Sequence, residues 1–352
     1  MADSRRYILN MLSLALILTA VAMVPPVAAS LAFGESHSVN VMMCGMIFCA
    51  GGGIILSSFG GSTVTDIKPR TMIMTVVFTW LLLILISSFV FYFAVPGIGP
   101  ADAFMESCAS WTGTAASSFD SGMLPSGIML YRSLLNWLGG IGIILLCLSI
   151  IRSRRYVGAG LAAIEIPGPD FLKDRPEFRS NYRKFIMIYA AFTLAQFILL
   201  AAGGMPLYTA LLSALSNSAS AGLHHINNSV ITSMPAYIKG IFTLFAFLAS
   251  TNFLIFVFVC RRQFAEIKNS SELKFRAGRI AISIALVSIL IIASNPAQGA
   301  VKVIGDSAVS VVSFLSTSGY IASDMSSWPA GCIILIMLQL FIGGSALSSG
   351  GG

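Results

Sequence analysis

The chain has 352 residues, of which 56% are hydrophobic and only 10% charged, with a net charge of +7 and a mean hydropathy of +0.87. So little polar surface cannot coat a globule of this length, which excludes a soluble domain and places the chain in a membrane.

Crossing a hydrocarbon core takes ~20 apolar residues over ~30 Å, and a spanning segment must satisfy its own backbone hydrogen bonds. The apolar runs are of helix length and follow a 3.6-residue period, which excludes a β-barrel. The prediction is an all-α integral membrane bundle of about eight spanning helices, at 8–33, 39–59, 71–95, 126–151, 182–203, 235–260, 278–294 and 329–347. The first run follows Arg5 and Arg6 in the order of a signal peptide. It is long enough to span, so it reads as the first helix, ended or kinked at Pro25-Pro26. Cysteines 44, 49, 108, 147, 260 and 332 show no paired spacing and read as small core residues.

All of the 21 basic residues except Arg132, Lys239 and Lys302 fall at the N-terminus or in alternate loops. The positive-inside rule makes those loops and the N-terminus cytoplasmic, and the charge is a topology signal rather than a nucleic-acid footprint. Glu35, Asp102, Glu106, Asp120, Asp306 and Asp324 lie in the other set. More acids than bases at that mouth would concentrate cations there.

Those loops carry a repeat. Asp102 begins "DAFMESCASW", too short to span, followed by "TGTAAS", Pro125 and a helix containing Gly139-Gly140; Asp306 begins "DSAVSVVSFL", followed by "STSGYI", Pro329 and a helix containing Gly343-Gly344. The series Asp102, Ala115, Pro125, Gly139 and Asp306, Gly319, Pro329, Gly343 share steps of 13, 10 and 14 residues. A middle copy with a longer loop runs "LYTALLSALSN", "SASAGL", Pro235 and Ala249-Ser250. The chain thus divides into two leading helices (1–67) and three units of helix, short half-helix, turn and helix, at 68–160, 161–262 and 263–352.

A helix too short to span must enter and leave on one side, and irregular backbone at membrane depth is tolerated only in protein or beside water. Turns of Ser, Thr and Gly supply hydroxyl and carbonyl oxygens without bulk, and several around one axis can replace the hydration shell of a monovalent cation. A loop that only packs small residues is the other reading; three copies with matching offsets favour a permeation path. His224-His225 suit a metal pair poorly because adjacent side chains diverge, and Arg132 is placed to pair with Glu106 or Asp120. No Ser/His/Asp set or pair of intramembrane aspartates suggests an enzyme, so no catalytic residue and no cofactor is expected.

The stretches "DAFMESCASWTGTAAS", "YRSLLNWLGGIGIILL", "SNSASAGLHHINNS", "VVSFLSTSGYIASDMSSWP" and "FIGGSALSSGGG" resemble the Trk/Ktr/HKT superfamily of potassium transporters. The resemblance covers nearly the whole chain. It implies potassium uptake through a pore with a backbone-carbonyl filter, built from pore units that follow extra leading helices. It places the filters, and the transported K⁺, at Thr112, Gly113, Thr114 and Ala115; at Ser218, Ala219, Ser220 and Ala221; and at Ser316, Thr317, Ser318 and Gly319. The family's filters end in glycine, so Ala115 and Ala221 depart from it, and an alanine made to leave negative φ costs ~1–2 kcal/mol. Gly343, Gly344, Ser348, Ser349, Gly350 and Gly351 correspond to an intramembrane gate loop below the filter. The resemblance further implies a bacterial inner-membrane or plasma-membrane location, a homodimer and a cytosolic nucleotide-binding regulatory subunit. The family has a fourth unit, so the expectation is either a chain truncated before that unit or a pore completed by a separate chain. A degenerate, non-conducting subunit is the alternative to a transporter.

Overall fold

The computed structural model describes residues 2–60, 69–114, 116–117, 124–142, 176–222, 232–296, 298–321, 323–345 and 348–351. Ala115, His224, His225, Asp120 and the end of the predicted span 126–151 lie outside the described residues, and so does the segment that follows it up to residue 175. Among the described residues all regular structure is helical. The chain divides into two compact units, Met1–Arg183 and Lys184–Gly352.

In the first unit, α1 (Ala2–Ala22) runs into α2 (Val24–Ala32) through a one-residue break at Met23. The prolines sit in the first turn of α2, where their missing N–H has no helical partner to lose. The two helices form one apolar span, Arg5–Ala32. Small residues bring α3 (Ser36–Phe59) against α1: Ser13 Oγ donates to Gly53 O at 2.7 Å, and a Cβ on Gly53 would sit 2.7 Å from Ile17 Cγ1.

After α4 (Pro69–Ala94) comes the first half-helix, α5 (Pro100–Thr112), which is followed by α6 (Ser126–Ile141). Hydroxyls tie α5 to its neighbours: Ser107 Oγ donates to Ile84 O at 2.6 Å, and Trp111 Nε1 donates to Ser87 Oγ at 2.9 Å. Gly139 lets α6 lie directly on the end of α5, because a Cβ there would meet Trp111 O at 1.9 Å. Glu35 caps α6 from a distance, taking the N–H groups of Ser126 at 2.5 Å and Gly127 at 3.0 Å.

The second unit holds most of α7 (Pro176–Ala202), then half-helix α8 (Leu207–Ser218), α9 (Ala236–Ala249), α10 (Phe253–Cys260), the short α11 (Phe264–Asn269), α12 (Ser271–Ser294), half-helix α13 (Ala300–Leu315) and α14 (Ala330–Ile342). Half-helix α13 sits between two apolar clusters. Val309 and Val312 pack with Ile238, Phe242 and Phe245 of α9, while Val303 and Val311 pack with Val287 and Ile291 of α12 and with Ile336 of α14. Its Ser307, Ser310, Ser313 and Ser316 are all buried and recur every three residues.

Helices therefore occupy all eight predicted segments, and half-helices occupy the three short ones. Among the described residues, five spans are long and apolar enough to cross a membrane, six if α9 and α10 count as one broken span. The last helix of each unit starts on a proline, Pro125, Pro235 or Pro329, with φ between −54° and −57°. Each is also shorter than its apolar run suggested. Helix α6 ends at Ile141, with Gly142 at φ +85°. The predicted span 235–260 is two helices bent by 92°. Helix α14 stops at Ile342, where Gly343 adopts φ +67°, ψ −158°, a conformation essentially confined to glycine.

The bend at 250–252 has no glycine or proline. Ser250 Oγ and Thr251 Oγ1 turn back to Ala246 O and Phe247 O, at 2.7 and 2.6 Å, and Asn252 Oδ1 caps α10 by accepting from Leu254 N at 3.0 Å. The Thr251 hydroxyl thus takes the place of the ladder bond to Phe247 O, since Thr251 N turns to Leu248 O, and the Asn252 side chain starts a new helix.

Candidate functional site

Each half-helix ends in the same turn. In the first unit Gly113 is left-handed at φ +66°, and Thr114 N donates to Ala109 O, five residues back, at 3.0 Å. In the third repeat Thr317 takes that conformation at φ +60°, Ser318 N donates to Ser313 O at 3.0 Å, and Gly319 follows at φ +68°. In the second repeat Ser220 takes it at φ +54°, Ala221 N donates to Ser216 O at 3.0 Å, and Gly222 follows at φ +78°. The geometry therefore superposes Thr112-Gly113-Thr114 on Ala219-Ser220-Ala221 and on Ser316-Thr317-Ser318. The positive φ values fall on either side of Ala221, and the position matching Gly319 is Gly222.

Ser220 and Thr317 are not glycines, and the left-handed region costs such residues ~1–2 kcal/mol; for a β-branched threonine it is a genuine outlier. Local hydroxyls help to hold these turns. Thr317 Oγ1 donates to Ser316 O at 2.6 Å, and Ser316 Oγ donates to Ser318 Oγ at 3.0 Å. Thr112 Oγ1 lies 2.7 Å from Thr114 Oγ1. Ser218, Ala219, Ser220, Ala221, Ser316 and Ser318 are all buried. Each turn is at the C-terminal, partially negative end of its half-helix, a favourable place for a cation.

The glycine loop reaches two of these turns. Ser349 Oγ lies 2.9 Å from both Ser218 O and Ala249 O, and 3.4 Å from Ser220 Oγ. Gly351 N donates to Thr317 Oγ1 at 3.0 Å. Ser345 N donates to Ser250 O at 2.9 Å, Ser349 N donates to Ala249 O at 3.1 Å, and Gly344 N closes the loop on Gly351 O at 2.9 Å. Ser348 Oγ donates to Ser345 O at 2.7 Å. A Cβ on Gly350 would come within 3.1 Å of Ser250 Cβ and 3.3 Å of Ser316 O, so this loop lies close against both the helix break and the third turn.

Behind the first turn, Arg132 and Glu106 form a buried ion pair at 2.5 Å, with side chains 5% and 0% exposed. Ser117 Oγ donates to the other carboxylate oxygen at 2.9 Å. Of the two acids expected for Arg132, Glu106 pairs with it, and Asp120 lies outside the described residues. Sequence reasoning missed Arg276, and it matched Ala249-Ser250 to the GlyGly pairs of the other copies without expecting a helix break there. Arg276 was counted with the cytoplasmic loop charges, yet it is buried on α12, 3% exposed. Nothing in its spacing distinguishes it from Lys274 or Arg279; only the run of Ser, Thr and Asn at 250–252 hints at the break it meets.

Short helices ending in turns of hydroxyls and glycines, with a glycine loop drawn up against two of them inside an apolar bundle, define a helical integral membrane protein. The chain belongs to the TrkH family, described as cation transport protein, whose model matches residues 37–352. It is 28% identical over 355 residues to a Trk system potassium uptake protein TrkH of Halomonas elongata, covering 99% of this chain and 73% of that one. It is 29% identical over 295 residues to the TrkH of Salmonella typhimurium, covering 82% of this chain and 60% of that one. The fold matches the crystal structure of the potassium transporter TrkH from Vibrio parahaemolyticus with a TM-score of 0.84 at 23% identity, over 99% of this chain and 72% of that one. The chain thus spans about three-fifths to three-quarters of the length of these relatives.

Proposed function

We propose that the chain moves potassium ions inward across the plasma membrane, or the inner membrane of a cell with two. In the second unit the path is lined by the turns at Ala219–Gly222 and Ser316–Gly319, and Thr112–Thr114 form the corresponding turn of the first unit. Residues Gly343–Gly351 close it. The observation that carries this reading is the loop's attachment: Ser349 and Gly351 bond to Ser218 and Thr317, at the ends of two different half-helices. Hydroxyls, carbonyl oxygens and negative helix ends favour a monovalent cation stripped of water. An inside-negative potential contributes ~2.3 kcal/mol per charge per 100 mV to inward movement. Gly222 at φ +78° supports a functional second filter, because the conformation that an alanine would resist falls on a glycine.

In this reading potassium is cargo rather than cofactor, and no residue is catalytic. The two leading helices and three repeats are the working divisions of the chain. Its N-terminus is cytoplasmic, as the basic loops favour. It acts as a homodimer with a cytosolic nucleotide-binding regulatory subunit, and the family resemblance supports both partners. The test is growth of a bacterium lacking its potassium-uptake systems on low-potassium medium: expression of this chain restores growth. Failure to restore it, together with absent rubidium flux in liposomes, points instead to a non-conducting subunit.

A further inference from the structure

The first turns of α12 carry a cluster that the ion path does not use. Arg276 is 3% exposed near the start of a helix apolar enough to span. Its guanidinium carbon lies 4.8 Å from the centre of the Phe247 ring. Nη2 donates to Phe247 O at 3.2 Å and to Ser250 Oγ at 2.5 Å. Nη1 donates to Ser250 O, to Thr251 Oγ1 at 2.9 Å and to Ser345 Oγ at 3.1 Å. Three of these acceptors belong to the break between α9 and α10, one to the last turn of α9, and the fifth to the glycine loop. All five are neutral.

The neighbours on α12 extend the pattern. Glu272, one turn earlier, accepts from Asn252 Nδ2 at 3.2 Å, and Asn252 is the residue that caps α10. Arg279, one turn later, donates from Nη2 to Gly343 O at 2.9 Å, where α14 ends. Two arginines on one helix thus supply the broken ends of α9 and α14 with donors for carbonyls that have no helical partner. A fork of five N–H groups is the side chain that can engage the break and the loop together. A cation at this depth is costly unless such acceptors surround it.

We propose that Arg276 is a positioning residue that latches the 343–351 loop to the α9/α10 break. The loop's own backbone bonds, from Ser345 N to Ser250 O and from Ser349 N to Ala249 O, end on the same break. Loop and break therefore move as one piece, and Arg276 fastens that piece to α12. The effect of the latch on ion flow rests on the reading of the loop as a gate; its effect on the loop does not.

The test is hydrogen exchange on the full chain in detergent, with rubidium flux on the same proteins in liposomes. Arg276→Gln raises exchange in peptides covering 343–351 by about tenfold or more, the factor for losing one hydrogen bond to a charged group. Half-helix α13 keeps its protection. Arg276→Lys, which keeps the charge but not the fork, falls between. Ser345→Ala, which removes only the arm to the loop and leaves the break capped, shifts the same peptides in the same direction. Unchanged loop exchange in Arg276→Gln overturns the latch, as does an equal rise across α13 and α14. Basal rubidium flux in Arg276→Gln exceeds that of the wild type, and equal flux from a conducting wild type overturns the gating role. A wild type without flux counts against the ion path alone, and the exchange result then decides the latch.

Discussion

The hydroxyl of Ser349 stands 2.9 Å from the carbonyl oxygen of Ser218, at the C-terminal end of half-helix α8, and equally close to that of Ala249, where α9 breaks. One side chain of the glycine loop therefore touches both a half-helix turn and a helix break. Ser349→Ala removes this link but leaves the loop's backbone bonds in place. The expected cost is ~1 kcal/mol, typical of a neutral hydrogen bond, and thermal unfolding in detergent measures it. Rubidium flux rises in the same variant, because the loop loses its tie to the second turn.

The backbone of that turn makes a second prediction. Ala221→Gly leaves potassium-over-sodium selectivity unchanged, since the left-handed positions are Ser220 and Gly222. Gly222→Ala lowers selectivity. Gly319→Ala does so too, and there the cause is conformational rather than steric, because a Cβ at Gly319 meets nothing within 4 Å. The backbone penalty is ~1–2 kcal/mol per site. Competition of sodium with rubidium uptake reads the outcome.

The ion pair beneath the first turn makes a third. Glu106→Gln leaves the Arg132 guanidinium buried without its carboxylate, which costs ~3–5 kcal/mol. Combining it with Arg132→Met removes the stranded charge and recovers most of that loss. Thermal unfolding of the two single variants and the double variant measures the coupling.

A fourth concerns the seating of the first half-helix. At Gly139 an added methyl would fall 1.9 Å from Trp111 O, so α6 must move bodily away from α5. Gly139→Ala destabilises the first unit by about 3 kcal/mol or more and lowers the yield of folded protein on size-exclusion chromatography. Gly240→Ala, at a helical glycine with nothing within 4 Å, is the control and leaves yield unchanged.

Hydropathy and the repeat made most of this architecture legible before any coordinates. Pro125, Pro235 and Pro329 do begin helices, and the short runs after Pro100, Pro206 and Gly299 are half-helices. The break at Ser250 was not legible, because residues on both sides of it are apolar and hydropathy averages across three polar residues. The backbone match of Gly222 to Gly319 was not legible either, since the longer loop before Pro235 removes the fixed offset that anchors the other two copies. Arg276 was hidden for a different reason: counting charges by loop assigns a side but says nothing about the acceptors a folded helix brings to them.

The central claim is that the turns after α8 and α13, with the glycine loop against them, line a path for potassium. Rubidium uptake into liposomes containing the purified chain, under an inside-negative potential, tests it most directly. The account predicts uptake above protein-free liposomes that potassium inhibits more strongly than sodium does, and that Gly222→Ala makes less selective. Uptake no greater than in protein-free liposomes, from chain shown to be folded, contradicts it.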